Sequence, residues 1–174
     1  METFELDVSF AVDLQRVLRA FWDLEDWPSL TTHVRKIEMH YCDENVQVLT
    51  MHVVTNGHHD RFKSVRMKQG NGIYYLQPDP PPILRRHNGS WQFNAGPGST
   101  IVTSRHFVDI NTDVAAAFVR KAGLPVGDRT TTHQQIKNII CNNSLQTMLA
   151  LKKRFEGEIG GLHVSRESYV MATT

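Results

Sequence analysis

Val46-Gln47-Val48-Leu49-Thr50-Met51-His52-Val53-Val54-Thr55-Asn56-Gly57-His58-His59-Asp60-Arg61-Phe62-Lys63-Ser64-Val65-Arg66 reads as two extended runs joined at Asn56-Gly57. Asparagine and glycine tolerate the left-handed backbone that a two-residue hairpin turn requires, so this dipeptide between β-prone runs signals a hairpin. Strand parity then sorts the second run: Arg61 and Lys63 fall on one face, Asp60, Phe62, Ser64 and Arg66 on the other. Phe62 marks that second face as the inward one, which sends Ser64 and Arg66 toward the interior.

Working outward, further turn signals stand at Asp43-Glu44-Asn45, Gly70-Asn71-Gly72, Pro80-Pro81-Pro82 and Gly96-Pro97-Gly98, dividing residues 34 to 110 into about six hairpin-linked strands. Upstream, Phe4, Leu6, Val8 and Phe10 alternate with Glu5, Asp7 and Ser9, the period of a strand with one buried face. Asp13 can cap a helix carrying Leu14, Val17, Leu18 and Phe21, and Trp27-Pro28 marks a second short helical piece. Downstream, a long helix is expected from Thr130, with Ile136, Ile140, Asn143, Thr147 and Leu151 along one stripe and Gly157 as its stop. Residues 111 to 129 are open between a helical turn and a lid. The chain therefore reads as one domain over 1–157 with a C-terminal tail over 158–174.

This order is an α+β architecture in which a curved antiparallel sheet of about seven strands wraps a long C-terminal helix, with two short helices after the first strand. Side chains fill the space between one helix and a curved sheet poorly, so a cavity for a largely apolar ligand is expected there.

Composition removes other classes of function. Lysine plus arginine number 19 against 18 acidic residues, scattered along the chain, which leaves no footprint for a nucleic-acid backbone. No stretch approaches the roughly 20 apolar residues of a membrane span, and the N-terminus has no charged-then-apolar leader pattern, so a cytoplasmic protein with no membrane partner is expected. Cys42 and Cys141 lack metal-ligand spacing. The adjacent His58 and His59 point to opposite faces of a strand and cannot easily share an ion, so no metal is expected. No phosphate-cradling glycine motif or serine-hydrolase elbow occurs.

Several side chains could carry chemistry. An inward Arg66 suffers desolvation unless paired, and its fork of donors suits carbonyl or enolate oxygens; an ion pair with Asp60 is the structural alternative. Trp27, Trp91 and Phe93 can wall a cavity or simply fill the core. Arg105 shares a face with Thr103 and Phe107 and could enter the cavity, although Val102, His106 and Val108 compete for that position. Asn143 and Thr147 interrupt the helical stripe, either toward a ligand or as satisfied polar groups in the core. His58 lies in phase with Arg66 and could move a proton at the cavity mouth.

Trp27-Pro28 after the first helix, Asn56-Gly57 at a hairpin, Ser64 and Arg66 on the next strand, Gly89-Ser90-Trp91, and a final helix ending Leu151-Lys152-Lys153 occur in an order and spacing that resemble the polyketide aromatase/cyclases of the Bet v 1-like (START, SRPBCC) superfamily. The resemblance covers roughly residues 3 to 156. It implies a helix-grip fold and a cofactor-independent enzyme that takes a poly-β-ketone from an acyl carrier protein and directs aldol cyclisation and dehydration of the first ring. In that reading Arg66 and Ser64 are catalytic, and Trp27, Trp91, Phe62, Phe93, Arg105, Asn143, Thr147 and His58 bind substrate. Where some relatives place a pocket tyrosine, this chain has Val34. Other superfamily members are ligand carriers, so a non-catalytic lipid or polyketide carrier is the alternative.

Overall fold

A computed structural model describes residues 1–55, 57–125 and 127–159. Phe4, Leu6, Val8 and Phe10 are all buried on one face of β1 (Glu2–Phe10). The Asp13 carboxylate accepts from the Arg16 amide at 3.1 Å and starts α1 (Leu14–Trp22), whose Val17, Leu18, Phe21 and Trp22 are buried. In α2 (Trp27–Leu30), Pro28 occupies the first turn, where its missing amide hydrogen forfeits no helical bond.

Six strands follow: β2 (Val34–Cys42), β3 (Val46–Thr55), β4 (His58–Gln69), β5 (Gly72–Asp79), β6 (Leu84–Gly96) and β7 (Ser99–Ile110). The expected turns lie between them. At the first, the Asp43 carboxylate accepts from the amides of Asn45 and Val46 at 2.8 and 2.6 Å. At the decisive hairpin Gly57 adopts φ 77°, which a residue with a Cβ adopts only with strain. All strand pairs are antiparallel, in the spatial order β1-β7-β6-β5-β4-β3-β2.

The segment left open by the sequence forms α3 (Thr112–Lys121), with Ala115 and Val119 buried against the final helix α4 (Arg129–Ile159). The Asp128 carboxylate accepts from the Thr131 amide at 2.8 Å and so caps α4. Contrary to expectation, Gly157 does not stop this helix, which continues to Ile159. A glycine in a helix costs about 1 kcal/mol relative to alanine, too little to end one by itself. From residue 160 onward the expected tail lies outside the described residues. Ile136, Met148 and Leu151 of α4 are fully buried against the sheet. Among the described residues no helix is long and apolar enough to cross a membrane.

The register lines up one transverse row across six strands: Gln47, Arg66, Tyr75, Gly89, His106 and Phe4 are successive neighbours on β3, β4, β5, β6, β7 and β1. All six are buried. A row this polar inside an apolar sheet needs a reason beyond packing, since buried polar groups destabilise a fold unless they are partnered.

Candidate active site

Between the inner face of the sheet and α4 lies a cavity of about 160 Å³, lined mostly by carbon. An apolar space of roughly 150 Å³ takes up one benzene ring. The enclosed part of this cavity therefore has room for about one aromatic ring. Leu24, Trp27, Arg66 and Trp91 close one end, while Thr55, Asp60, Pro81, Ile83 and Phe118 line the other.

Arg66 is 2% exposed and has no carboxylate within ion-pair distance among the described residues, so the expected pairing with Asp60 is not formed. Its guanidinium instead donates to the carbonyl of Trp22 at 3.3 Å, to Gln47 Oε1 at 2.7 Å, and to the carbonyl of Phe21. The first and last of these acceptors are carbonyls at the C-terminus of α1, the negative end of its dipole. Trp22, Trp27 and Trp91 surround the group, with ring centroids 5.4, 5.8 and 5.6 Å from its central carbon. Burial pulls its pKa down to about 9, and Asp23 partly offsets that. At neutral pH the side chain is a cation held by oxygens and aromatic faces. Three of its five N–H groups are committed to these oxygens, and the other two have no oxygen partner among the described residues.

The neighbour of Arg66 in the row, Tyr75, heads a second polar cluster. Its hydroxyl lies 2.8 Å from His106 Nδ1 and 3.2 Å from His87 Nε2, and the two imidazoles are 3.1 Å apart. From His106 Nε2 the chain of contacts runs to Ser104 Oγ at 3.0 Å and on to Ser144 Oγ of α4 at 2.9 Å. Tyr75, His87, His106 and Ser144 all line the cavity. Gly89 makes this possible. A Cβ there would lie 2.7 Å from Tyr75 Cζ and closer still to the Tyr75 hydroxyl and the Arg105 carbonyl, so the tyrosine ring lies over the space a side chain would fill.

Burial keeps both imidazoles neutral. His87 is pulled down to about 4 from the ordinary 6.5, and His106 falls well below it, through burial first and the neighbouring His87 second. Burial lowers His33 as well. Burial also raises the Tyr75 hydroxyl, so it stays protonated as a donor. An unfolded chain takes up the histidine protons at their ordinary pKa and the folded one does not. Stability is therefore fully present above about pH 6.5 and is lost as pH falls toward 4, by up to about 1.4 kcal/mol per pH unit for each such histidine. Urea titrations at pH 7 and pH 5 should show the midpoint falling, and His87→Leu should flatten that slope; an unaltered slope in the variant would rule His87 out as a contributor.

The structure brings most of the sequence-derived residues to the cavity. Phe62, Ser64, Arg66, Trp27 and Trp91 line it from one side and Asn143 and Thr147 from α4, with Val34 also on the wall. Trp27 Nε1 donates to the Ala20 carbonyl at 3.2 Å. Asn143 Nδ2 donates to Thr55 Oγ1 at 3.2 Å, and Thr147 Oγ1 donates to the Asn143 carbonyl at 3.1 Å.

Three expectations are corrected. Phe93 shares the inward face with Trp91 but lies off the cavity wall, against Phe21 at 5.3 Å between ring centroids, because α1 covers that end of β6. Arg105 points outward and pairs with Glu5 at 2.8 Å, since Ser104 and His106 take the inward positions of β7. His58 lies behind the wall with its ring 5.2 Å from that of Phe118, which itself lines the cavity. The sequence reading missed Tyr75, His87 and Ser144, and counted His106 only as a competitor of Arg105. The signal for them was Gly89, a glycine inside a strand, which marks a close approach by a neighbouring group.

Comparison with known proteins agrees with this fold. Residues 10–135 match the family model described as polyketide cyclase/dehydrase and lipid transport. No curated protein matches the sequence. Among solved structures, the di-domain ARO/CYC StfQ from the steffimycin biosynthetic pathway superposes with a TM-score of 0.79 at 21% identity, over 91% of this chain and 52% of its own. This chain thus spans about half the length of that di-domain protein. The Zhui aromatase/cyclase from Streptomyces sp. R1128 superposes at 0.74 with 19% identity, over 91% of this chain and 95% of that one. A STAR-related lipid transfer protein from Xanthomonas axonopodis does so at 0.61 with 13% identity, over 88% and 85% of the two chains. At these identities the superpositions establish the START/Bet v 1-like helix-grip fold, and the match over residues 10–135 establishes the family. The chain belongs to the polyketide cyclase/dehydrase and lipid-transport family.

Proposed function

We propose that this chain is an aromatase/cyclase that takes a poly-β-ketone from an acyl carrier protein, closes its first ring by an aldol reaction and dehydrates it to an aromatic ring, with no cofactor. The observation that carries this reading is the juxtaposition, on adjacent strands of one cavity, of a buried cation with no carboxylate partner among the described residues and a phenol on two neutral imidazoles. The two acyl-transfer-free steps need those groups. A neutral imidazole of His87 or His106 takes a proton from a methylene flanked by two ketones, and the enolate carbon attacks a carbonyl whose oxygen Arg66 polarises. Tyr75 gives its proton to the new alkoxide and is reprotonated by the imidazolium; the imidazole then takes the second proton from the same carbon as the double bond forms, and that proton passes through Tyr75 to the departing hydroxyl, which leaves as water. Ser64 and the walls of Trp27, Trp91 and Phe62 fold the chain so that the reacting carbons meet. Room for about one ring in the enclosed part fits a first-ring cyclase, with the rest of the tethered chain lying toward the mouth.

The test is the product profile of a poly-β-ketone synthase system run with and without the protein; an unchanged profile would dismiss cyclisation. Tyr75→Phe provides the finer readout. It removes one hydroxyl and no volume, so turnover should fall about 10- to 100-fold while ligand affinity changes less than about threefold. Equal turnover would exclude the phenol as a proton donor. The second reading, a lipid or polyketide carrier, is favoured by the mostly carbon lining, and it predicts that Tyr75→Phe alters neither binding nor product.

A further inference from the structure

Among the described residues the cavity wall carries one cation at neutral pH, Arg66, and one carboxylate, Asp60. Both belong to the inward face of β4, six residues apart, which at about 3.4 Å per residue separates them by roughly 20 Å along the strand. Burial deepens steadily between them: Asp60 and Phe62 are half-buried, Ser64 is 5% exposed and Arg66 2%. The cation therefore sits at the closed end and the carboxylate at the mouth. Asp60 lies beyond the paired part of β5, whose register with β4 starts at Lys63 opposite Asp79, and its neighbour across on β3 is the apolar Val53. Arg61 and Lys63, the cations next to it in sequence, are exposed on the opposite face. Asp60 makes no hydrogen bond or ion pair among the described residues.

An unpaired carboxylate at the lip of an apolar cavity sets the charge that the outer end of a ligand can carry. Water screens it less there than on an open surface, because the walls beside it are of low dielectric. An anionic group held against it is repelled, whereas an ammonium or an amide N–H finds an acceptor. We propose that Asp60 is a specificity-determining residue at the cavity mouth, which admits ligands whose outer end is a cation or an N–H donor and rejects those whose outer end is an anion. A thioester arm bearing secondary amides meets that requirement, and the free acid left by its hydrolysis does not. The natural ligand so named, an amide-bearing thioester, rests on the cyclase reading; the charge rule rests on Asp60.

The probes share an apolar chain and differ at one end: decylamine, a cation at neutral pH; N-decylacetamide, neutral with one N–H; and decanoate, an anion. In calorimetric titrations of the whole chain, decylamine should bind about tenfold tighter than decanoate, with the amide between them. Asp60→Asn keeps the shape and removes only the charge, so it should fold as the parent does. It should weaken decylamine about tenfold and tighten decanoate about fivefold, and leave the amide within about threefold, since the asparagine carbonyl still accepts. Asp60→Lys should reverse the order and put decanoate first. Decylamine affinity unchanged in Asp60→Asn, the parent order kept in Asp60→Lys, or no binding of any probe at millimolar concentration would overturn the assignment. Decanoate that matches decylamine on the parent chain and is lost in Arg66→Met would overturn it too, because the acid would then enter carboxylate first. A protein that changes a polyketide product profile yet shows no charge order keeps the cyclase reading and loses this one; the converse result keeps the charge rule and loses the thioester.

Discussion

Arg66→Met should lower turnover about 10²- to 10³-fold while changing folding stability by less than about 2 kcal/mol. The catalytic loss is the usual scale for removing one preorganised donor from the oxygen where charge develops. The small stability change follows from two opposing terms. Burial pulls the guanidinium from 12.5 to about 9, on the order of 5 kcal/mol against keeping the charge inside. Its hydrogen bonds to the carbonyls of Phe21 and Trp22 and to Gln47 Oε1 return about 1.5–3 kcal/mol each. Methionine removes both terms and fills the space among the three tryptophans; the Trp22 carbonyl still accepts from Gln47 Nε2 at 3.1 Å, while the Phe21 carbonyl and Gln47 Oε1 each lose this partner at about 1 kcal/mol apiece, which sets the remaining cost. Parallel measurements of turnover, ligand affinity and urea midpoint check this. Loss of stability with turnover per folded molecule intact would make Arg66 a clamp on α1 and nothing more.

Gly89→Ala should cost about 3 kcal/mol and lower the melting temperature by roughly 6–12 °C. The new methyl meets the Tyr75 ring and also the Arg105 carbonyl, and the latter is backbone of the paired strand, which cannot turn aside. Either β6 and β7 separate locally or Tyr75 leaves its place between the imidazoles. In both cases the variant should also lose activity, because the 2.8 Å contact to His106 is broken. A thermal melt within about 2 °C of the parent would show that the strands absorb the methyl and that the close packing described here is not what fixes the tyrosine.

The sequence was most readable where one face of a strand is clearly apolar. In β4, Phe62 alone set the parity that places Ser64 and Arg66 on the cavity. In β7 both faces carry apolar groups, Val102 and Val108 inside, Ile101 and Phe107 outside, so alternation could not say which of Arg105 and His106 turns inward. The register decides it, by placing His106 opposite Gly89. The Tyr75–His87–His106 cluster was hidden for a related reason: its members are 12 to 31 residues apart, and each is the only ionisable group at its inward position. Only pairing across three strands brings them together. Helix periodicity served better, since Asn143 and Thr147 follow directly from the stripe of Ile136, Ile140 and Leu151.

The pairing of β1 with β7 has a consequence for how the chain comes to fold. Glu2 lies opposite Val108, so β1 waits for β7, about a hundred residues later in the chain, before it can pair. At about 5–20 residues per second, that is several seconds during which Phe4, Leu6, Val8 and Phe10 form an alternating apolar segment with an open edge. The hairpins from β2 to β7 close early through short loops, whereas closure of β1 on β7 carries the entropy of a hundred-residue loop. The transverse row from Gln47 to Phe4 becomes continuous only at that final closure. The members of the row on β3 to β7 can meet before that, so what closes last is the edge of the sheet, and the apolar face of β1 is the part of the nascent chain most open to aggregation until it pairs.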